Sequence, residues 1–424
     1  MADPMCGEAN EVLKQIASMP RSVRKKAPGE TTPPAPVGES GFPDLIDVRE
    51  KLDEIDVAAI ASEFTRPPNT IGRRPYPRGP MIRALLSMPV LGITNLSALH
   101  KRLMNDPALR SVCGFTTRVP SRPTFSRIFG QLSERPELLE TCLANVAAKL
   151  AEYVPDIGRE VAVDSTMIRT NSNPKPLLYS DPEASRGKQH SAQAERGWKW
   201  VLGYKAHVAA DANNDIPLEV LVTTGSVSDT KYLITLVDML KRRPEVVIAD
   251  RGYDSNNNNR WLNEQGFSPV IHKRKPKNGY HTGKKGQKYS TKGTPLCECG
   301  HERPYIGPDI HTGERVYGPV SDCTRGGKLT GFSMCDVEVR VNPDDDIRLF
   351  GGQIARDSRK WNRTYRKRWS VERVFSRWKE RAVLENHSFR GLSKVRLLVQ
   401  LYAVAYVAAR LVEVKDAAAL PMAA

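Results

Sequence analysis

Apolar residues return every three or four positions from Pro80 to about Tyr153, in PMIRALLSM, ITNLSALHKRLMND and RPELLETCLANVAAKLAEY, and that period predicts helices. Ser121 and Pro123 sit where one of them would begin. At Glu160 the period changes. EVAVDSTMI alternates or runs apolar like a strand, and WVLGYKAHVAAD and IPLEVLVTTG flank the turn-rich ANND, which predicts a β-hairpin. Helical spacing returns in DTKYLITLVDMLKR, with Asp229 in the N-cap place; EVVIAD then reads as a short buried strand, NNRWLNEQG as a helix and SPVIHK as a strand. The predicted order is βββαβαβ. Two long helices close the chain, from about Gln353 to Arg381 and from about Leu392 to Val414, so the fold class is α+β or α/β, a mixed sheet flanked by helices. LLVQLYAVAYVAARLV keeps a helix period and reads as a buried helix rather than a membrane element.

Breaks in the pattern divide the chain. Residues 1–43 hold PRSVRKKAPGETTPPAPVGESGFP, rich in Pro, Gly and charge, and are expected to form an arm with a short helix around Val12 to Ser18. Residues 44–155 form a helical unit, either a helix-turn-helix DNA reader or a plain bundle. The sheet occupies 156–272, a basic, Cys-containing insertion 273–349, and the closing helices 350–415. Residues 271–292 of that insertion carry eight Lys/Arg and no acid, as a loop against phosphates or a solvated loop would.

Charge narrows the partners. The 64 Lys+Arg against 48 Asp+Glu give +16, which favours a polyanion, nucleic acid first and an anionic membrane surface second. No apolar run approaches the roughly 20 residues of a spanning helix, and the start lacks the layout of a signal peptide, so a cytoplasmic location is expected. Seven scattered cysteines fit a reducing compartment better than a disulfide framework.

Asp164 ends the first predicted strand and Asp250 the fourth. Each alone reads as a turn cap, but neighbouring strand ends would set the two carboxylates side by side, where their repulsion calls for a cation such as Mg²⁺. On one continuous helix Tyr365, Arg368, Glu372 and Lys379 would share a face, with Glu372 completing a metal cage and the others gripping phosphates. The competing reading, a solvated helix of ordinary ion pairs, fits poorly with eleven Lys/Arg against three acids in 356–381. Ser165 and Thr166 lack a base placed by sequence to make either a nucleophile.

Asp164 in AVDSTMI, Asp250 in IADRGYD, and Tyr365, Arg368, Glu372 and Lys379 at spacings of two, three and six intervening residues resemble the catalytic regions of DDE transposases of insertion sequences. GWKWVLGYKAHVAAD and the helical segments from YPRGPMIRALLSMPV through VPSRPTFSRIFGQL are similar to that family as well, so the resemblance runs from 70 to 410. It implies an RNase H-like catalytic domain and two divalent ions, Mg²⁺ or Mn²⁺, on Asp164, Asp250 and Glu372. It further implies cleavage at transposon ends, attack of the freed 3′-hydroxyl on target DNA, and a homodimer on DNA. Two alternatives stay open: a catalytically silent DNA-binding descendant, and a metal-dependent nuclease that cuts without joining.

Other residues carry weaker signals. Cys297, Cys299, Cys323 and Cys335, with His301 and His311 nearby, suit either a structural zinc or reduced free thiols. Lys205 and His207 lie on a strand expected beside the acids, Lys205 to touch DNA and His207 as a ligand-shell or simply packed histidine. Trp198, Trp200, Trp261 and Trp378 are candidates for stacking on unpaired bases, Trp261 foremost, against the commoner fate of filling a core.

Overall fold

A computed structural model describes residues 43–419, apart from 65–70, 72–74, 117, 174, 176–179, 191–196, 275–277, 284–285, 291–292, 321–334, 336, 343–344, 355, 357 and 381–382. The expected arm up to residue 42, with its helix from Val12 to Ser18, lies outside the described residues, as does Cys323.

The described helices before the sheet are α1 (Pro43–Asp53), α2 (Val57–Ser62), α3 (Arg78–Leu91), α4 (Leu96–Asn105), α5 (Pro107–Cys113), α6 (Arg122–Ser133) and α7 (Pro136–Tyr153). Side chains begin several of them: Asn95 accepts from Ala98 N ahead of α4, and Asp106 from Leu109 N ahead of α5. Ser121 and Pro123 open α6 as the sequence predicts.

The main sheet contains β1 (Glu160–Arg169), β2 (Ser185–His190), β3 (Trp198–Asp211), β4 (Pro217–Thr224), β5 (Val246–Ala249) and β6 (Ser268–Ile271). β3 runs antiparallel to β1 and carries β2 along its first half and β4 along its second; β5 and β6 continue from β1 in parallel. Helices α8 (Leu233–Asp238) and α9 (Asn256–Glu264) make the two crossovers. An antiparallel meander followed by two parallel strands gives the expected mixed, RNase H-like sheet. The strand missing from the predicted order is β2. SRGKQH has no apolar alternation because it is an edge strand whose stability comes from backbone pairing to β3. Gly203 in β3 is needed where β1 ends against it, since a Cβ there would lie 2.0 Å from the Ile168 carbonyl oxygen.

Alternation along the strands divides the core into two layers. Val161, Val163, Ala209, Val247 and Ala249 face α8 and α9, while Ala162, Ala206, Val208 and Ile248 face the closing helices. The insertion holds short strands β7 (His281–Thr282), β8 (Lys288–Tyr289), β9 (Tyr305–Pro308), β10 (Arg315–Tyr317) and β11 (Val339–Val341), then the short helix α10 (Ile347–Phe350).

The helix expected from Gln353 to Arg381 is instead two, α11 (Arg359–Arg366) and α12 (Trp369–Glu380). Between them the bonding tightens to i→i−3: Lys367 N donates to Thr364 O and Arg368 N to Tyr365 O, each at 3.0 Å. No proline or glycine forces the break. Both residues at it are drawn to β1, Lys367 to the Glu160 carboxylate and Arg368 to Asp164. After α13 (Val383–Asn386), α14 (Leu392–Ala419) runs through the larger core, packing along α7 and touching α1, α3, α6 and β4. It is long and apolar enough to cross a membrane, yet Leu398, Val399, Leu401 and Val404 are fully buried inside the protein, as the sequence reading expects.

Candidate active site

β1 and β5 lie in parallel register, with Val163 opposite Ala249, so the next residue on each chain is an aspartate. Asp164 and Asp250 therefore sit side by side where β5 ends; β1 runs on to Arg169, so Asp164 stands mid-strand and does not close its strand as the sequence suggests. Both share the strand face of Ala162 and Ile248, the face α12 covers with Val371, Val374 and Trp378. Each acid is steadied by a neighbouring amide: Ser165 N donates to Asp164 Oδ1 at 2.8 Å and Gly252 N to Asp250 Oδ1 at 2.7 Å. Gly252 permits this close turn, because a Cβ there would stand 2.8 Å from that same oxygen.

The third acid arrives from α12. Arg368 Nη2 pairs with Glu372 Oε1 at 2.6 Å one turn along, and Arg368 Nη1 reaches Asp164 Oδ2 at 3.3 Å. Burial and the neighbouring Asp250 push the Asp164 carboxyl up to about 7, against the pull of Arg368. Asp250 is also raised, first by burial. For Arg368, burial works to lower the guanidinium, and the carboxylates of Glu372 and Asp164 outweigh it. Three carboxylates thus converge with one arginine between them. Carboxylate oxygens are hard donors of the kind Mg²⁺ and Mn²⁺ take, and Arg368 offsets part of their charge.

A second polar group lies on the opposite face of the sheet. Ser165, Lys205 and His207 alternate away from Asp164, and Asp229 comes up to meet them: Ser165 Oγ donates to Asp229 Oδ1 at 2.8 Å, and Lys205 Nζ donates to the same oxygen at 2.9 Å and to Val227 O at 2.9 Å. His207 is fully buried; its Nδ1 is 3.7 Å from Asp229 Oδ1, its Nε2 3.1 Å from Thr223 Oγ1, and burial lowers it to about 4. Asp229 helps raise Asp250. The N-cap role expected for it falls to Ser228, and the aspartate begins a 3₁₀ turn ahead of α8. A Ser-Asp-Thr run before a helix reads as a cap, so the only signal for Asp229 was its acid side chain.

The remaining predicted residues fall in different places. Tyr365 ends α11, not the helix of Glu372, and stacks on Trp361 with centroids 5.2 Å apart, edge-on to His272 at 4.2 Å. Lys379 lies half-buried farther along α12, lowered by burial. Trp261 packs edge-on to Phe267 on the α9 side and is not gathered with the acids; Trp378 is core. Trp198 and Trp200 flank the Lys188 ammonium at 4.5 and 5.5 Å, and Trp200 remains 56% exposed. Trp369, passed over in the sequence, is 58% exposed immediately beside Arg368.

The basic surplus of this region is partly internal. Arg373 and Arg377 pair with Asp215, and Arg356 donates to the Ile271 carbonyl, which leaves Arg359, Lys360, Arg363 and Arg366 on the surface. In the insertion, Lys273 is buried and pairs with Asp346, while Arg274 stays exposed and donates to the Gly252 carbonyl. Cys297, Cys299 and Cys335 come together, their sulfurs within 4.8 Å of one another.

Two family models match this chain. The family described as Transposase DDE domain matches residues 156–408, and Transposase domain (DUF772) matches 44–131. The putative transposase for insertion sequence element IS402 of Burkholderia cepacia is 39% identical over 92 residues, a match that takes in 19% of this chain and 43% of that relative. The chain therefore spans less than half the length of that relative. Among solved structures, the piggyBac transposase synaptic complex with hairpin DNA aligns over 91% of this chain and 78% of its own, at 13% identity and a TM-score of 0.38. With the Transposase DDE domain covering the sheet, the three acids and most of the closing helices, the chain belongs to the DDE transposase family.

Proposed function

We propose that this protein binds transposon ends, cleaves phosphodiester bonds there and joins the freed 3′-hydroxyl to target DNA, with Asp164, Asp250 and Glu372 as the ligands of two divalent ions. The observation that carries the reading is that Arg368 joins Glu372, on a helix near the end of the chain, to Asp164, beside which the parallel strand β5 sets Asp250. Mg²⁺ or Mn²⁺ bound there would activate the attacking oxygen and stabilise the leaving one. The chain's own groups do the rest. The amides of Ser165 and Gly252 hold the two aspartates in place, and Arg368 spans Asp164 and Glu372 with its planar fork, placed to contact a non-bridging phosphate oxygen. Tyr365, Lys379 and the exposed Arg359, Lys360, Arg363 and Arg366 supply phosphate contacts, and Trp261 is a candidate for stacking on an unpaired base; Lys205, on the opposite face and paired with Asp229, takes no part in them. Coordinated joining of two ends calls for a homodimer on DNA.

The test uses purified protein, Mg²⁺ and DNA bearing the sequences that flank the gene, with Glu372→Gln as control. Metal-dependent nicking at a repeat boundary, followed by joining of the 3′-end, supports the proposal if Glu372→Gln abolishes both and leaves DNA binding nearly intact. Nicking without joining identifies a nuclease. Binding without cleavage in wild type and variant alike identifies a silent DNA-binding descendant.

A further inference from the structure

Among the described residues, the insertion between β6 and α11 gathers only a small apolar core. Its own core consists of Tyr289, Tyr317, Val341, Leu349 and Phe350, with Tyr305 and Val339 packed against it. A unit that small ordinarily needs a cross-link or a metal. Beyond this core, Leu296 and Glu302 pair across a tight hairpin: Cys297 N donates to His301 O at 2.9 Å, and Gly300 N to Cys297 O at 2.9 Å, with Gly300 at φ 87° in the left-handed region. This turn sets Cys297 and Cys299 at one end of the hairpin and places His301 Nδ1 3.8 Å from Cys297 Sγ.

Cys335 comes in from the far side of the insertion. Val320 N donates to its carbonyl at 3.0 Å, and the buried Arg303 guanidinium donates to Val337 O at 2.6 Å. The Cys299 and Cys335 sulfurs are then 4.0 Å apart, about twice the length of a disulfide bond. Four ligands at about 2.3 Å around a tetrahedral ion stand about 3.8 Å from one another. Cys297 and Cys335 are each 2% exposed, so the group is shielded from solvent on most sides. Cys113 and Cys142 make the contrast within the same molecule: both are buried among helices, and burial pushes each thiol up to about 12, as for an inert core cysteine.

We infer that Cys297, Cys299 and Cys335 bind one Zn²⁺ as thiolates, and that this ion pins the insertion's outer hairpin to the segment around Cys335. Thiolate ligands gathered in a small, polar insertion suit a structural ion. The inference stands apart from the acid site, whose oxygen ligands select harder ions.

The experiment measures metal content of the full-length protein purified from zinc-supplemented culture. One zinc per chain is expected, retained by an Asp164→Asn/Asp250→Asn/Glu372→Gln variant and lost from Cys299→Ser and Cys335→Ser. Should the cysteine variants fail to fold, Co²⁺ reconstitution of the wild type reports independently: thiolate-to-cobalt charge-transfer absorption is expected, and its absence overturns the site. A Cys299–Cys335 disulfide in non-reducing peptide mapping would also overturn it, as would zinc that leaves with the acids and stays with the serines.

Discussion

Arg368 joins two acids that the sequence holds far apart, with Nη1 3.3 Å from Asp164 Oδ2 and Nη2 2.6 Å from Glu372 Oε1. A planar fork can make both bonds at once; an ammonium is a single point. Arg368→Lys should therefore keep the charge, fold normally and lower metal-dependent DNA cleavage by about tenfold or more. Equal cleavage rates in the two proteins would show that the bridge has no part in the reaction.

Arg368→Ala addresses the phosphate contact. If the guanidinium meets a backbone phosphate, DNA affinity weakens and the slope of log affinity against log salt becomes shallower by about one. Titrations at several salt concentrations measure this, and an unchanged slope removes Arg368 from the phosphate contacts.

Lys205 and Asp229 neutralise each other beneath the acid site, at 2.9 Å and with Lys205 12% exposed. Removing one partner leaves the other charged in a part-buried setting, so Lys205→Met should cost about 1–3 kcal/mol. The double variant Lys205→Met/Asp229→Asn should recover part of that loss. Denaturant unfolding of the three variants closes the cycle, and additive losses would mean the pair is not coupled.

Gly252→Ala tests how closely Asp250 is held. The new methyl would stand 2.8 Å from Asp250 Oδ1 and push the carboxylate away from its amide. Cleavage should fall at least tenfold while thermal stability changes little. Full activity in the variant would show that Asp250 tolerates a different orientation.

Glu219, on β4, gives a pH dependence outside the acid site. The side chain is 5% exposed, and burial raises its carboxyl to about 7, opposed by the Val220 amide. The unfolded chain gives up this proton near its ordinary value while the folded chain keeps it, so stability falls as pH rises from about 4.5 to about 7. Glu219→Gln should raise the melting temperature at pH 8 by roughly 2–4 °C and leave it almost unchanged at pH 4. The same increment at both pH values would mean that ionisation is not the cause.

Asp250 was legible because a short apolar run ending in an acid puts that acid at a strand end; Asp164 is its neighbour because β1 and β5 pair in parallel, although β1 itself runs on to Arg169. Glu372 was legible through its spacing from Arg368, a pair that needs only one helical turn. Tyr365 belongs to a different helix than that spacing suggested, because the turn at Lys367 is set by Glu160 and Asp164, partners about two hundred positions away that no local window contains. Asp229 and the edge strand Ser185–His190 were hidden for a related reason. Both are defined by what β1 and β3 present to them, and neither carries a pattern of its own.

Since α14 fills the centre of the larger core, the order of synthesis has a bearing on when the protein can become active. A nascent chain has made both aspartate-bearing strands and the N-terminal helices long before Leu392–Ala419 leaves the ribosome, and until then α7 has no partner along one side. A fragment that stops short of this helix carries all three acids but leaves apolar surface exposed, which marks it for proteolysis. The helix Leu392–Ala419 thus ties the assembled acid site to completion of the larger core.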